Sequence, residues 1–267
     1  MNTETARDWQ HLNELLFSDT YNHGINRYRS TYAYRGMINE SDHLTNTLTR
    51  LGTPYKNMEL NLLKQFKKYA HRNVVQKDTE WHWLSVAQHY GLPTRLLDWT
   101  YSPFIALHFA TAPIEKNPTK NAAVWKVNYA DVHDQLQTKE KENLDKIGAK
   151  IFSIDALAES IKNIEELDKL SAHYFKVAVF FEPPAIDDRI INQFAYFSAI
   201  SDPFMSFDDW LRLPAISGKV DATKIVIPSN LVWEVRDKLD QSNINERVLF
   251  PGLDGLCAWL KRHYTPR

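Results

Sequence analysis

Ala87-Gln-His-Tyr-Gly-Leu-Pro-Thr-Arg-Leu-Leu-Asp-Trp-Thr-Tyr-Ser-Pro-Phe-Ile-Ala-Leu-His-Phe-Ala110 is the stretch of this 267-residue chain that carries most about its fold. Gly91 ahead of Pro93 stops a helix, because glycine takes the conformation that closes a C-terminus and proline cannot continue it. The run Arg95-Leu-Leu-Asp-Trp-Thr100 follows. Ser102-Pro103 then starts a new helix, with a capping hydroxyl and a proline at the first helical position. That helix, Phe104 to about Thr111, is almost wholly apolar and is predicted to be buried. A buried helix directly after Arg95 and Asp98 sets both charges beside apolar surface, where an unpaired charge is costly. Either they pair with each other and tie the loop to the core, or they engage a ligand. His89 also has two readings, a satisfied helix-end histidine or an acid–base group. Gln88, Thr94 and Ser102 complete the polar set.

Working outward, Thr31-Tyr-Ala-Tyr-Arg-Gly36 has the aromatic and β-branched character of a strand. Trp9 to Phe17 is predicted as a short amphipathic helix with Trp9, Leu12, Leu15 and Leu16 on its apolar face. Met58 to Tyr69 is another, with Lys64, Lys67 and Lys68 outward. Glu80 to Tyr90 is a third, capped by Asp78 or Thr79. Ala122 to Val127, Phe175 to Phe181 and Lys224 to Ile227 have strand patterns. A helix capped by Ser229 or Asn230 follows, and Leu253 to Arg262 forms the last. Thr138 to Leu170 is charged and helical, with mixed signs at i, i+4, and is expected as an exposed subdomain or insertion. Its Glu140-x-Glu142 pair is expected on a solvated face. Strands and helices mix without a βαβ rhythm, so the fold class is α+β.

Composition excludes several chemistries. The 8 glycines form neither a G-x-G-x-x-G fingerprint nor a Walker A loop, so no glycine-rich phosphate cradle is present. One cysteine, Cys257, rules out an internal disulfide and a multi-cysteine zinc site; its neighbours suggest an inert core thiol. Ten histidines without H-E-x-x-H give no reason to expect a metal. Nor is there a Gly-x-Ser-x-Gly elbow. Trp81, Trp83 and Trp233 lie in helical patterns and are expected in the core. A net charge of −1 gives no reason for strong non-specific nucleic-acid binding. Residues 26–72 nevertheless hold nine Lys/Arg against three Asp/Glu, a balance of +6. That is a solvated basic face or a surface for a phosphate-bearing ligand. The first residues resemble no signal peptide, and no apolar run nears the ~20 residues of a membrane span, so a cytoplasmic location without membrane partners is expected.

Tyr34-Arg-Gly36 together with Gln88-His-Tyr-Gly-Leu-Pro-Thr-Arg-Leu-Leu-Asp-Trp-Thr100 resembles the FRG domain, named for its Phe/Tyr-Arg-Gly motif. The likeness continues through Ser102-Pro-Phe-Ile-Ala-Leu-His-Phe-Ala110. Arg189-Ile-Ile-Asn-Gln193 with Phe197 is similar to the family's Arg-Ile-x-x-Gln strand. Phe250-Pro-Gly-Leu-Asp-Gly-Leu256 resembles its closing element, with Gly252 in place of an acidic residue. This implies a helical extension over 1–29 and an FRG domain over 30–267, with 138–170 as an insertion.

The order of motifs resembles the ADP-ribosyltransferase fold, a single domain with a mixed or antiparallel split sheet flanked by helices. That resemblance implies NAD as substrate, with Arg35 on the pyrophosphate, Gly36 permitting close approach and Ser102 orienting the ribose. Tyr34, Thr94, Arg95 and Arg189 join the NAD-binding set, and His89, Asp98 and Gln193 line the reacting end. Loss of nicotinamide passes through an oxocarbenium-like state, which a nearby carboxylate stabilises. In transferases of that fold the carboxylate is a glutamate on a late strand, and here the sequence departs. Glu182 and Glu246 are late candidates. Gln193 could fill the place without the charge, and Asp98 is the alternative. The implied function is an ADP-ribosyltransferase or NAD glycohydrolase acting on a protein or nucleic-acid acceptor or on water, as a bacterial toxin or anti-phage effector. The absent glutamate favours instead a non-catalytic module that senses a nucleotide or binds a partner through the same Arg/His/Asp pocket. A metal-free nuclease built on His89 has no spacing signal behind it.

Overall fold

A computed structural model describes residues 1–52, 57–70, 78–112, 118–173 and 175–266. Strand β1 (Asn2–Thr5) precedes helix α1 (Trp9–Phe17), whose N-cap Asp8 accepts the His11 N–H. A small hairpin, β2 (Tyr21–Asn22) and β3 (Arg27–Tyr28), leads to β4 (Tyr32–Met37). Helices α2 (Met58–Tyr69) and α3 (Glu80–His89) follow, the latter capped by Thr79. β5 (Leu97–Thr100) then runs into α4 (Pro103–Ala110). Next come β6 (Ala122–Asn128), α5 (Tyr129–His133), α6 (Thr138–Ile147), β7 (Phe152–Ser153), α7 (Ile154–Ser160) and α8 (Ile164–His173). The C-terminal third holds β8 (Ala178–Glu182), α9 (Asp188–Asn192), β9 (Ala195–Ile200), α10 (Phe207–Arg212) and β10 (Ala222–Ile227). It closes with α11 (Val232–Gln241), α12 (Glu246–Leu249) and α13 (Leu253–His263).

Eight strands form one mixed sheet in the order β1-β10-β6-β4-β5-β9-β8-β7, parallel at β1–β10 and β7–β8 and antiparallel elsewhere. The fold is α+β. β4 pairs with β6 from Tyr32 to Met37, and β5 pairs with β9 from Leu97 to Thr100. Between these two halves, β4 and β5 meet only where Tyr34 lies opposite Thr100. Beyond that point the sheet splits.

The period-two alternation of strand side chains builds a different core on each face. One face is continuous, with Ala33, Trp99, Phe180 and Tyr196 packed against Phe207 and Trp210 of α10. The other is divided. Phe181 and Phe197 join Trp81 of α3 and Leu157 of α7, while Tyr34, Val124 and Ile225 join α1 and α4. The divide follows the split.

Several expectations are corrected. Residues 1–29 are more than a helical extension, since β1 extends the main sheet and Leu12 and Leu16 are buried. The 138–170 segment is not an exposed subdomain: β7 joins the sheet edge, and Leu144, Phe152, Leu157, Ile161, Ile164 and Leu167 are buried. Its charges conceal an apolar face at helical spacing. Glu140 is buried too, whereas Glu142 stays outside, 3.3 Å from Lys146. Arg189–Gln193 belongs to helix α9 and its C-cap, and the strand begins at Ala195. Residues 229–231 form a 3-10 turn without a side-chain cap before α11. Cys257 is exposed, because α13 turns Gly255 inward. Trp81 and Trp233 are buried, Trp83 only partly. Among the described residues no helix is long and apolar enough to cross a membrane.

Gly36 is explained by packing: a Cβ there would stand 2.1 Å from the Ala106 carbonyl oxygen and 2.4 Å from the Ala110 nitrogen. Its bare Cα lets α4 lie on β4. Gly36→Ala should therefore cost about 1–3 kcal/mol, the usual penalty for overfilling a packed core. Urea unfolding should show this as a lower midpoint at unchanged slope.

Candidate functional site

The split opens into a cleft of about 840 Å³, within the range of small-molecule sites. β4 contributes Tyr34 to Met37, β5 contributes Asp98 to Thr100, and the end of α3 contributes Gln88 and His89. Thr47 and Arg50 come from the segment before α2, Phe109 from α4, and Arg189, Ile190 and Gln193 from α9 and its C-cap.

Arg35 reaches across the split. Its Nη1 donates to the Asp98 carbonyl oxygen and lies 3.8 Å from the Asp98 carboxylate, while its Nε is buried without a partner among the described residues. Burial pulls the guanidinium pKa down; Asp98 opposes this, and the neighbouring charge of Arg50 adds to it. Arg50 is exposed and, among the described residues, bonds only backbone carbonyls, at 3.1 Å to Thr45 and 3.4 Å to Asn46. Asp98 is 56% exposed, and both its oxygens accept from Gln88 Nε2 at 3.0 Å. Gln88 is fixed in turn by Thr94, whose hydroxyl donates to Oε1 at 2.7 Å and accepts the Leu96 N–H at 3.0 Å.

On the opposite side, His89 Nε2 lies 2.7 Å from Asp187, which also caps α9 by accepting the Ile190 N–H at 3.1 Å. Burial would raise the Asp187 carboxyl, but the Ile190 N–H and His89 outweigh it and hold the group below the usual range. The Arg189 guanidinium lies 5.1 Å from the centre of the Phe250 ring, and Gln193 donates to the Leu249 carbonyl at 2.9 Å. The cleft thus gathers Tyr34, Arg35, Gly36, His89, Asp98, Arg189 and Gln193.

The remaining sequence-derived residues lie elsewhere. Arg95 points into the core, 2.6 Å from Glu59 and 2.5 Å from Asp168, so it pairs with neither Asp98 nor a ligand in the cleft. Thr94 acts from behind the wall, through Gln88. Ser102 holds the N-cap position of α4 and does not line the cleft. The Tyr34 hydroxyl is committed to the Leu16 carbonyl at 3.0 Å. Glu246 opens α12 outside the cleft, 2.6 Å from Arg236 and 2.7 Å from Arg262. Burial opposes its charge, but Arg262 and Arg236 prevail and hold the carboxyl near 2.

Arg50 and Asp187 were not singled out from sequence. Arg50 sits in the basic stretch, which marked it only collectively; Lys56 and Arg72 of that stretch lie outside the described residues. Asp187 had no local signal, since its partner is 98 positions away. One other cluster, His43, Asp208 and Asp209, brings potential metal-ligand atoms within 4.8 Å of one another. Arg212 already lies 2.9 Å from both carboxylates and supplies the cation.

Residues 30–119 match the family model of the FRG domain, covering β4, β5 and α4 with the residues between them. The chain carries an FRG domain. The FRG segment provides Arg35, Arg50, Gln88, His89 and Asp98, whereas Arg189 and Gln193 come from beyond it. No curated protein and no solved structure matches the chain.

Two buried histidines give the FRG-domain protein a definite acid response. Burial and the Arg236 charge hold His108 near 3, its Nδ1 accepting from Arg236 at 3.0 Å. Burial holds His133 near 4, its Nε2 accepting the Phe180 N–H at 2.9 Å. Both are neutral in the fold but take protons near 6.5 once unfolded. Stability present above that value should therefore decline as pH falls through the interval toward 4 and 3. Urea midpoints measured between about pH 7 and about pH 4 should fall, and less steeply in His133→Gln. A flat profile would contradict the assignment.

Proposed function

We propose that the cleft binds a phosphate-bearing nucleotide of the NAD class and breaks its nicotinamide–ribose bond, passing the ADP-ribosyl group to an acceptor or to water. The observation that carries this reading is the charge of the lining: Arg35, Arg50 and Arg189 stand against only Asp42 and Asp98 among the described residues. An anion between Arg35 and Arg50 relieves their mutual repulsion, and guanidinium groups suit phosphate oxygens. The likeness of the FRG motifs to the ADP-ribosyltransferase order points the same way.

In the reaction the C1–N bond breaks and its electron pair neutralises the nicotinamide ring. Asp98, held by Gln88 beside Arg35, is the carboxylate available to stabilise the positive charge that develops on the ribose. The acceptor then forms the new bond to C1, and the His89–Asp187 pair takes its proton. A second reading rests on one observation: no glutamate lines the cleft among the described residues. It makes the cleft a sensor that holds a nucleotide unchanged.

Nicotinamide release from NAD, measured with protein and nucleic-acid acceptors present, separates the two. Arg35→Ala should weaken nucleotide binding by about tenfold or more. Asp98→Asn should lower turnover by about 100-fold while binding survives. Saturable calorimetric binding without release selects the sensor, and absence of both binding and release overturns both readings.

A further inference from the structure

Thr100 and Ala195 line the cleft, and the residues just beyond them, Tyr101 and Phe194, do not. Tyr101 follows β5 and Phe194 precedes β9, so both stand just past the ends of the paired strands. Their rings stack with centroids 4.6 Å apart and planes 28° apart, and the Tyr101 N–H donates to the Phe194 carbonyl at 3.1 Å. Buried Tyr196 backs the Tyr101 ring at 5.6 Å and meets Tyr129 edge-on at 5.7 Å. Tyr101 and Phe194 nevertheless remain 47% and 40% exposed. Phe194 does so with φ of +49°, a left-handed conformation in which a bulky aromatic residue is an outlier. Backbone strain that holds a large apolar ring in solvent concentrates where a ligand is met.

Glu182 ends β8, which pairs with β9 beside this ledge. The β8–β9 register, with Phe181 opposite Phe197, brings the next residue, Glu182, toward Tyr196, and its charge adds to the burial that pushes the Tyr101 pKa up. Burial pushes its own carboxyl up. No ion pair or side-chain hydrogen bond engages that carboxylate among the described residues. A carboxylate without a counter-ion beside exposed aromatic rings has the chemistry of an organic-cation site.

We propose that Tyr101, Phe194 and Glu182 form a recognition site for a basic side chain, arginine above all, of a polypeptide partner. The guanidinium lies over the exposed rings and pairs with Glu182. A nucleobase would also stack on the ledge, but its phosphates would meet Glu182 with like charge. The site stands independently of nucleotide turnover. Should the cleft transfer ADP-ribose, the ledge names the acceptor class, a protein presenting a basic side chain one residue along the chain from the cleft lining.

The test uses the full chain and a dye-labelled Gly-Arg-Gly peptide followed by fluorescence anisotropy, with selective tyrosine labelling and NMR to locate it. The arginine peptide should bind saturably and shift the Tyr101 resonance. A citrulline peptide, equal in shape but uncharged, should bind about tenfold more weakly or not at all. Glu182→Gln should weaken arginine binding about fivefold or more, and Tyr101→Leu should abolish it, with melting temperatures unchanged. If Tyr101→Leu does not fold, the citrulline comparison on the native chain decides. Equal affinity for both peptides, no binding of either, undiminished binding in Glu182→Gln, or a response only to a single-stranded oligonucleotide overturns the proposal. No nucleotide is needed, so this result and that of the cleft are read separately.

Discussion

Tyr34 opposite Thr100 joins the two halves of the sheet, and this one pair is the whole ladder between β4 and β5. Had the ladder continued, Arg35 would face Trp99 and Gly36 would face Asp98, and the cleft would be closed. Opening it frees backbone groups that need other partners. The Asp98 carbonyl takes its hydrogen bond from the Arg35 side chain, so an arginine stands in for a strand. Gly36 meanwhile lets α4 lie close enough to form the adjoining wall. The Tyr-Arg-Gly motif is thus a structural device as well as a binding one: the arginine spans the gap that the glycine-packed helix borders.

Partners distinguish the arginines. Arg95 and Arg236 are buried, the first with two carboxylates and the second with one, at 2.5 to 2.6 Å, and breaking such a pair leaves an uncompensated charge costing about 3–5 kcal/mol. They are struts: Arg95 ties α2 to α8, and Arg236 ties α11 to α4 and α12. Arg35, Arg50 and Arg189 are served by carbonyls, one distant carboxylate and a ring. Their charges remain available to a ligand.

Local sequence was most legible where one residue type imposes one geometry. The bounds of α1 and α2 follow from apolar spacing, and that of α3 from Thr79. Proline after Ser102 begins α4. What could not be read depends on distant partners. Nothing near Arg95 announces Glu59 or Asp168, and the simplest local guess, Asp98, is wrong because the bend ahead of β5 sends Arg95 into the core while Asp98 stays in the cleft with Gln88. The charged 138–170 segment hid its buried face for a related reason, since charge dominates composition while spacing governs burial. The split itself is a missing ladder, which no segment encodes alone.

Cys257 was expected in the core and lies at the surface. It is the single thiol of the chain, on the helix whose Gly255 packs against the Glu246 and Phe250 carbonyls. The same α12 segment holds Asn192 and Gln193 through the Val248 and Leu249 carbonyls. A fluorophore attached there would occupy one defined position, mechanically linked to the far wall of the cleft yet touching none of its lining. The exposed sulfur thereby offers an optical gauge of how that wall responds when the cleft is filled.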